Sequence, residues 1–136
     1  MNFMIIKYAL IALIFTFTSL VAEEGKHLFL LSGQSNMKRF QDKQFFVPAI
    51  ESEFGKENVI FVKVAEGGQP ISRWYKKWQS SKGETPEKLG DLYDQLMAQT
   101  KEAIKDQKIS SVTFIWMQGE RDAKDKNSDV YLGLTE

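Results

Sequence analysis

Ser35 is the residue of this chain whose type and position best suit covalent chemistry. It lies in the octet Leu30–Met37 (LLSGQSNM), where an apolar run stops at a glycine and a hydroxyl follows two residues later. A serine just past the end of a parallel strand lies at the rim of an α/β sheet, where ligand crevices form. Ser35 is therefore a candidate nucleophile, and it needs a base to accept its proton. Taken alone, such a serine is more often an ordinary turn or N-cap residue.

Two further polar clusters follow apolar runs in the same way. They are Glu66–Pro70 (EGGQP) and Gln118–Asp122 (QGERD). Because parallel strands bring their carboxyl ends to one edge of a sheet, the three clusters should converge. Glycines such as Gly67 and Gly68 let backbone N–H groups approach an oxyanion, and Gln118 can add a side-chain donor. The combination predicts an acyl-transfer site, with a plain turn as the alternative for the two glycines.

Three apolar runs, rich in β-branched and aromatic residues, predict the strands that position these clusters. They are His27–Ser32, Asn58–Ala65 and Ser111–Met117. Their apolarity is continuous rather than alternating, which is typical of strands covered on both faces in a parallel sheet. With a helix in each connection, the order β-α-β-α-β predicts an α/β sheet with right-handed crossovers.

Two helices are predicted between the strands. The first covers Val47 to Phe54 and ends near Gly55. The second begins with Thr85 as its cap and Pro86 at its first helical position. Its apolar face recurs at helical spacing, through Leu89, Leu92, Leu96, Ala103 and Ile104.

The two ends of the chain carry expectations of their own. The stretch Met4–Ala22 is almost purely apolar, which predicts a signal peptide over residues 1–22 and a secreted or periplasmic protein. An uncleaved membrane anchor is the alternative. At the other end, a helix capped by Ser128 or Asp129 would stop at Glu136 after two turns, and three strands make a thin sheet. We therefore expect residues 23–136 to be the N-terminal part of a longer domain.

Composition excludes several classes of function. The 136 residues include 18 basic and 18 acidic side chains, so charge gives no argument for binding nucleic acid. Contact with a membrane is expected only if the N-terminal segment stays uncleaved. The chain has no cysteine, which rules out disulfides and thiolate metal sites within it.

Three motifs together resemble the SGNH hydrolase superfamily, and most closely its sialate O-acetylesterase and acetylxylan esterase-like carbohydrate esterases. They are Gly33–Met37, the Gly67-Gly68 turn with Ile71 and Trp74 after it, and Trp116–Ala123. The resemblance covers about residues 27 to 136. It implies a flavodoxin-like, three-layer α/β/α fold. It also implies hydrolysis of acetyl esters on carbohydrates, without a metal or cofactor.

The resemblance also assigns roles to residues. Ser35 matches the nucleophile, and the oxyanion positions match the Ser35 amide, Gly68 and Gln118. Four neighbours match supporting positions: Asn36, Gly67, Glu120 and Asp122. Gln69 and Pro70 depart from the family pattern, which has a small hydroxyl residue after the glycines.

The base that would activate Ser35 is the missing part. The family carries an Asp-x-x-His block near its C-terminus, and no such block occurs here. The only histidine, His27, begins the strand whose far end holds Ser35, and this stretch of chain spans roughly 26 Å. A general base must come within about 3 Å of the hydroxyl or act through one water. We therefore expect this chain alone to be weakly active or inactive.

Other interpretations stay open at this point. The crevice could belong to a non-catalytic carbohydrate-binding protein, or to a phosphate-binding α/β domain, although the Lys-Ser/Thr pattern of a P-loop is missing. Glu120 and Asp122 could act as paired carboxylates of a glycosidase. Trp74, Tyr75 and Trp78 could stack against a sugar ring, or simply pack the connecting segment.

Overall fold

A computed structural model describes residues 25–80, 83 and 85–127 of the chain. The predicted signal peptide over residues 1–22 and the predicted helix after Ser128 lie outside these residues. The described elements are β1 (Lys26–Gly33), α1 (Ser35–Arg39), α2 (Phe46–Phe54), β2 (Val59–Ala65), α3 (Asp91–Ala103), β3 (Ile109–Met117) and α4 (Glu120–Lys124), with 3₁₀ turns at Lys56–Asn58 and Ile71–Arg73. None of the described helices has the length and apolarity needed to cross a bilayer.

The three strands form one parallel sheet in the order β2-β1-β3. This order matches the first three strands of the flavodoxin-like order 2-1-3-4-5. Gly33, at the end of the central strand, pairs with Ala65 on one side and Met117 on the other. The predicted α/β fold with a parallel sheet is therefore confirmed, and the three strands end level with one another.

Helices pack on both faces of the central strand β1, as its continuous apolarity predicts, whereas the prediction of burial on both faces is wrong for β3, which is largely exposed. Leu28 of β1 belongs to a core with Val62, Val64 and two leucines of α3. Phe29 and Leu31 face the other way, into a core that includes Met37 of α1 and side chains of α2. Side chains alternate across a strand, so this single central strand contributes to both cores. The described residues thus form three layers with the sheet in the middle.

The start predicted for α3 is wrong. The helix begins at Asp91 rather than at Pro86, because Gly90 adopts a left-handed conformation with φ +68°. Its N–H donates to the carbonyl of Ser72 at 2.8 Å, which fixes the entry of the chain into the helix. The predicted apolar face is confirmed from Leu92 onward, whereas Leu89 precedes the helix and is exposed. The end of α2 at Gly55, with φ +86°, agrees with the prediction.

Candidate active site

The carboxyl ends of the strands meet through a very close approach of β1 and β3. Gly33 has φ +143°, and a Cβ atom there would lie 2.0 Å from the carbonyl oxygen of Met117. The next amide, that of Gln34, donates to the same carbonyl at 2.8 Å. On the other side, the amide of Glu66 donates to the Gly33 carbonyl at 3.2 Å. Only glycine fits at this position, and the segment that carries Ser35 is tied to both neighbouring strands.

Ser35 is the first residue of α1 and is half-buried at this edge. Gln34 before it is almost completely buried, and Met37 after it is completely buried in the core below. The carbonyl of Gln34 accepts from the amide of Lys38 at 2.8 Å, which closes the short helix. The serine is therefore held at the rim of the sheet by a well-packed turn on either side.

Glu120 connects the first cluster with the third. Its two carboxylate oxygens accept from Gln34 Nε2 and from Asn36 Nδ2, the side chains on either side of Ser35. The pKa of Glu120 lies below its usual range, chiefly because its own backbone N–H donates to the carboxylate and next because Gln34 does. The carboxylate is therefore charged at neutral pH and braces the turn that holds the serine.

Asp122 and Gln118 connect the third cluster with the second. Asp122 is 1% exposed, and its Oδ2 accepts from the amide of Ile71 at 2.9 Å and from Gln118 Nε2 at 2.6 Å. The same Nε2 donates to the carbonyl of Gln69 at 3.1 Å. Both N–H groups of the Gln118 carboxamide are thus engaged within the site.

The cluster has acceptor capacity that the described residues do not fill. Gln34 Oε1 and Asp122 Oδ1 are buried and have no hydrogen-bond partner among those residues. Buried polar atoms are nearly always paired, so such a pair of acceptors is typical of a site that a water or another group completes.

The glycine turn is open to solvent. Gly68 has φ +69°, a conformation that favours glycine, and beyond its two chain neighbours no described residue has an atom within 4 Å of the place where its Cβ would stand. The carbonyl of Gly67 accepts from Gln69 Nε2 at 3.0 Å. Gln69 Oε1 in turn accepts from Arg73 Nη1 at 2.6 Å. This turn lies beside the end of β2, level with the serine segment.

One set of contacts beside the site, made by Ser32 and Trp74, was not predicted from the sequence. Ser32 lies in an apolar run, yet its buried hydroxyl donates to the Val64 carbonyl at 2.7 Å and accepts from Trp74 Nε1 at 3.0 Å. Trp74 is buried edge-on against Trp116. The sugar-stacking interpretation is therefore wrong for Trp74, which packs the connecting segment. A serine inside a buried strand was the only signal in the sequence for this contact.

His27 lies at the opposite end of β1 from the site, paired with Val59 at the start of β2. Its Nδ1 forms a hydrogen bond of 2.7 Å with the hydroxyl of Ser111, and its ring lies 4.3 Å from that of Phe54. These contacts give it a structural environment far from Ser35.

A serine, a glycine turn and a carboxamide thus lie at the carboxyl edge of a parallel sheet, where ligand sites of α/β proteins form. A family model described as carbohydrate esterase, sialic acid-specific acetylesterase, matches residues 38–134. The chain therefore belongs to this family of carbohydrate esterases. The match includes the glycine turn and the Gln118–Asp122 cluster, and it begins three residues after Ser35. Searches of curated proteins and of solved structures give no significant match.

Proposed function

We propose that this chain carries the nucleophile and oxyanion side of a carbohydrate O-acetylesterase site, with Ser35 as the nucleophile. Membership in a carbohydrate esterase family gives the general activity. The observation that carries the finer proposal is the network that binds the three strand ends together. Glu120 holds both neighbours of Ser35, and Gln118 links the third cluster to the glycine turn. Such pre-organisation is what an oxyanion site requires.

In the proposed reaction, Ser35 Oγ attacks the carbonyl carbon of an acetyl ester on a sugar. Its proton passes to a base, and the carbonyl oxygen becomes an oxyanion held by the amides of Ser35 and Gly68. The ester bond then breaks, and the protonated base returns the proton to the sugar oxygen. Water, activated by the same base, releases acetate from the acetylated serine. The base is a histidine by family resemblance, and His27 is too far away to serve.

Gln118 is the third proposed oxyanion donor, and using it requires an exchange of partners. Of its two hydrogen bonds, that to the Gln69 carbonyl is the longer, at 3.1 Å against 2.6 Å to Asp122. We propose that the N–H now on Gln69 turns to the oxyanion, while Asp122 keeps the other N–H. Asp122, Glu120, Asn36 and Gly67 then have supporting roles.

We also propose the substrate class and the location of the protein. The partner is an acetylated carbohydrate, and the reaction uses no metal or cofactor. The N-terminal segment 1–22 would export the protein to the periplasm or the medium. It would contact a membrane only if it stayed uncleaved.

The test compares Ser35→Ala with the full chain in the release of acetate from an aryl acetate and from acetylated sugars. Exposed Ser52 on α2, changed to Ala, is the matched control. We expect slow release that requires Ser35 and that added imidazole accelerates, because imidazole supplies the base. Equal release by Ser35→Ala and the unmodified chain would rule out the proposed nucleophile. Fast, Ser35-dependent release without imidazole would show that the chain already contains its base.

A non-catalytic carbohydrate-binding protein is the second candidate. The engagement of both N–H groups of Gln118 favours it, because neither is free to bind an oxyanion in this structure. Binding of an acetylated sugar without acetate release, even with imidazole, would support this candidate over the esterase.

A further inference from the structure

We propose that Gln69 is a positioning residue, which fixes the Gly67-Gly68 turn for oxyanion binding and is itself held by an ion pair between Arg73 and Asp91. This proposal rests on the esterase site described above and adds a second set of residues to it.

Gln69 bonds to three different parts of the site. Its Nε2 donates to the Gly67 carbonyl at 3.0 Å, and its backbone carbonyl accepts from Gln118 Nε2 at 3.1 Å. Its Oε1 accepts from Arg73 Nη1 at 2.6 Å. One residue therefore touches the glycine turn, the carboxamide of the third cluster and a fixed cation.

Arg73 is itself fixed by two parallel bonds to Asp91. Nε donates to Oδ1 at 2.5 Å and Nη2 donates to Oδ2 at 2.6 Å, and the Arg73 side chain is only 12% exposed. The pKa of Asp91 lies below its usual range, chiefly because of the bond from Arg73. A paired guanidinium has a rigid, planar geometry that a lysine cannot reproduce. Nη1 is thereby aimed at Gln69 in one orientation.

The 3₁₀ turn that follows, Ile71–Arg73, has hydrogen bonds that do not involve the Gln69 side chain. The amide of Ile71 is held by Asp122 at 2.9 Å, and the carbonyl of Ser72 accepts from Gly90 at 2.8 Å. The glycine turn has little other support among the described residues. Apart from chain neighbours, no described atom lies within 4 Å of a Cβ placed on Gly68, and the nearest to one on Gly67 is a methylene of Lys38 at 3.9 Å. Removing the Gln69 side chain should therefore loosen the Gly67-Gly68 turn and leave the domain folded.

Four variants of the full chain test this inference. Gln69→Leu removes the two side-chain hydrogen bonds of Gln69, to Gly67 and to Arg73. Arg73→Lys removes the planar guanidinium that bonds to Asp91 and Gln69 together. The double variant combines the two changes. Lys76→Met is the matched control, because the exposed Lys76–Asp94 pair joins the same two parts of the chain. The first readout is the amide resonances and hydrogen exchange of Gly67 and Gly68. The second is the rate at which a fluorophosphonate labels Ser35 at alkaline pH, where Oγ displaces fluoride from phosphorus.

We expect Gln69→Leu and Arg73→Lys to shift both glycine amides and to slow labelling of Ser35 by about ten- to a hundredfold. The double variant should be no slower than the worse single variant, because both changes act through one contact. Lys76→Met should match the unmodified chain in both readouts.

The two proposals fail in different ways. Unshifted glycine amides with unchanged labelling in Gln69→Leu would overturn the positioning role. Additive effects of the two changes would overturn the claim that Arg73 acts through Gln69. If Ser35 is not labelled in the unmodified chain, the esterase proposal fails, and the glycine amides alone decide whether Gln69 fixes the turn.

Discussion

The carboxylate of Glu120 is hydrogen-bonded to both residues that flank Ser35. It accepts from Gln34 and from Asn36, so the two residues that flank Ser35 share one partner. Carboxylates accept stronger hydrogen bonds than neutral oxygens, and the pKa of Glu120 lies below its ordinary value of 4.5 as a result of its backbone and side-chain donors. The orientation of the serine turn therefore depends on the charge of this group.

Glu120→Gln tests that dependence. A carboxamide offers one acceptor oxygen in place of two, so one of the amides loses its partner. Because the pKa is lowered on folding, the stability due to the carboxylate is fully present above the unfolded pKa and is lost as the pH falls through the folded pKa. We expect a loss of less than about 1 kcal/mol at neutral pH, since the group is exposed. This difference should disappear in acid below the folded pKa. Urea unfolding at both pH values measures it, with the exposed Glu53→Gln on α2 as control. A difference that is constant with pH would contradict the charge dependence.

At the scale of the elements, the positions of the strands were predictable and the entry to α3 was not. Each strand is a continuous apolar run, but burial on both faces follows only for the central strand β1, since β3 is largely exposed. The entry to α3 instead depends on a contact between Gly90 and Ser72, which are far apart in sequence. Local cap residues such as Thr85 carry no information about that contact. The five-residue helix α1 is too short to show any periodicity.

Part of the site could be predicted for the same reason. Parallel strands must end at one edge, so the sequence could place the three polar clusters together. Partners across those clusters, such as Gln118 with Gln69 or Asp122 with Ile71, lie 49 and 51 residues apart. They depend on how far each strand extends and on side-chain orientation. Spacing in the sequence reports neither.

The close approach of β1 to β3 at Gly33 predicts that no larger residue is tolerated there. In Gly33→Ala, the new methyl group would meet the Met117 carbonyl at 2.0 Å, at a φ of +143° that L-residues avoid. The strands would have to separate at the site. We expect a loss of stability of about 3 kcal/mol or more. Gly67→Ala is the control, because its nearest neighbour lies at 3.9 Å, and it should lose less than about 1 kcal/mol. Thermal or urea unfolding compares them, and similar losses would show that the close approach is not rigid.

At the scale of the whole molecule, the described residues cover the sheet unevenly. The central strand β1 is buried on both faces, whereas β3 lies at an edge of the sheet that the described residues form. In the middle of β3, Val112 is 59% exposed and Phe114 is 54% exposed. Phe114 stacks on Trp116, with ring centroids 5.6 Å apart, so the apolar surface is continuous. An edge strand with exposed apolar side chains presents unpaired backbone groups next to an apolar surface, and both favour association with another chain.

We therefore expect residues 23–136 to associate through β3. Association should appear in sedimentation velocity as a concentration-dependent increase in mass, and unfolding in urea should depend on protein concentration. Phe114→Lys places a charge on the edge, which natural sheets use to prevent pairing, and should shift the protein toward monomer. Phe45→Lys is the matched control, because Phe45 is also strongly exposed, at 68%, and lies before α2 rather than on β3. It should leave association unchanged. A monomer with a sharp two-state transition at all concentrations, or equal effects of the two lysines, would show that the β3 edge does not drive association.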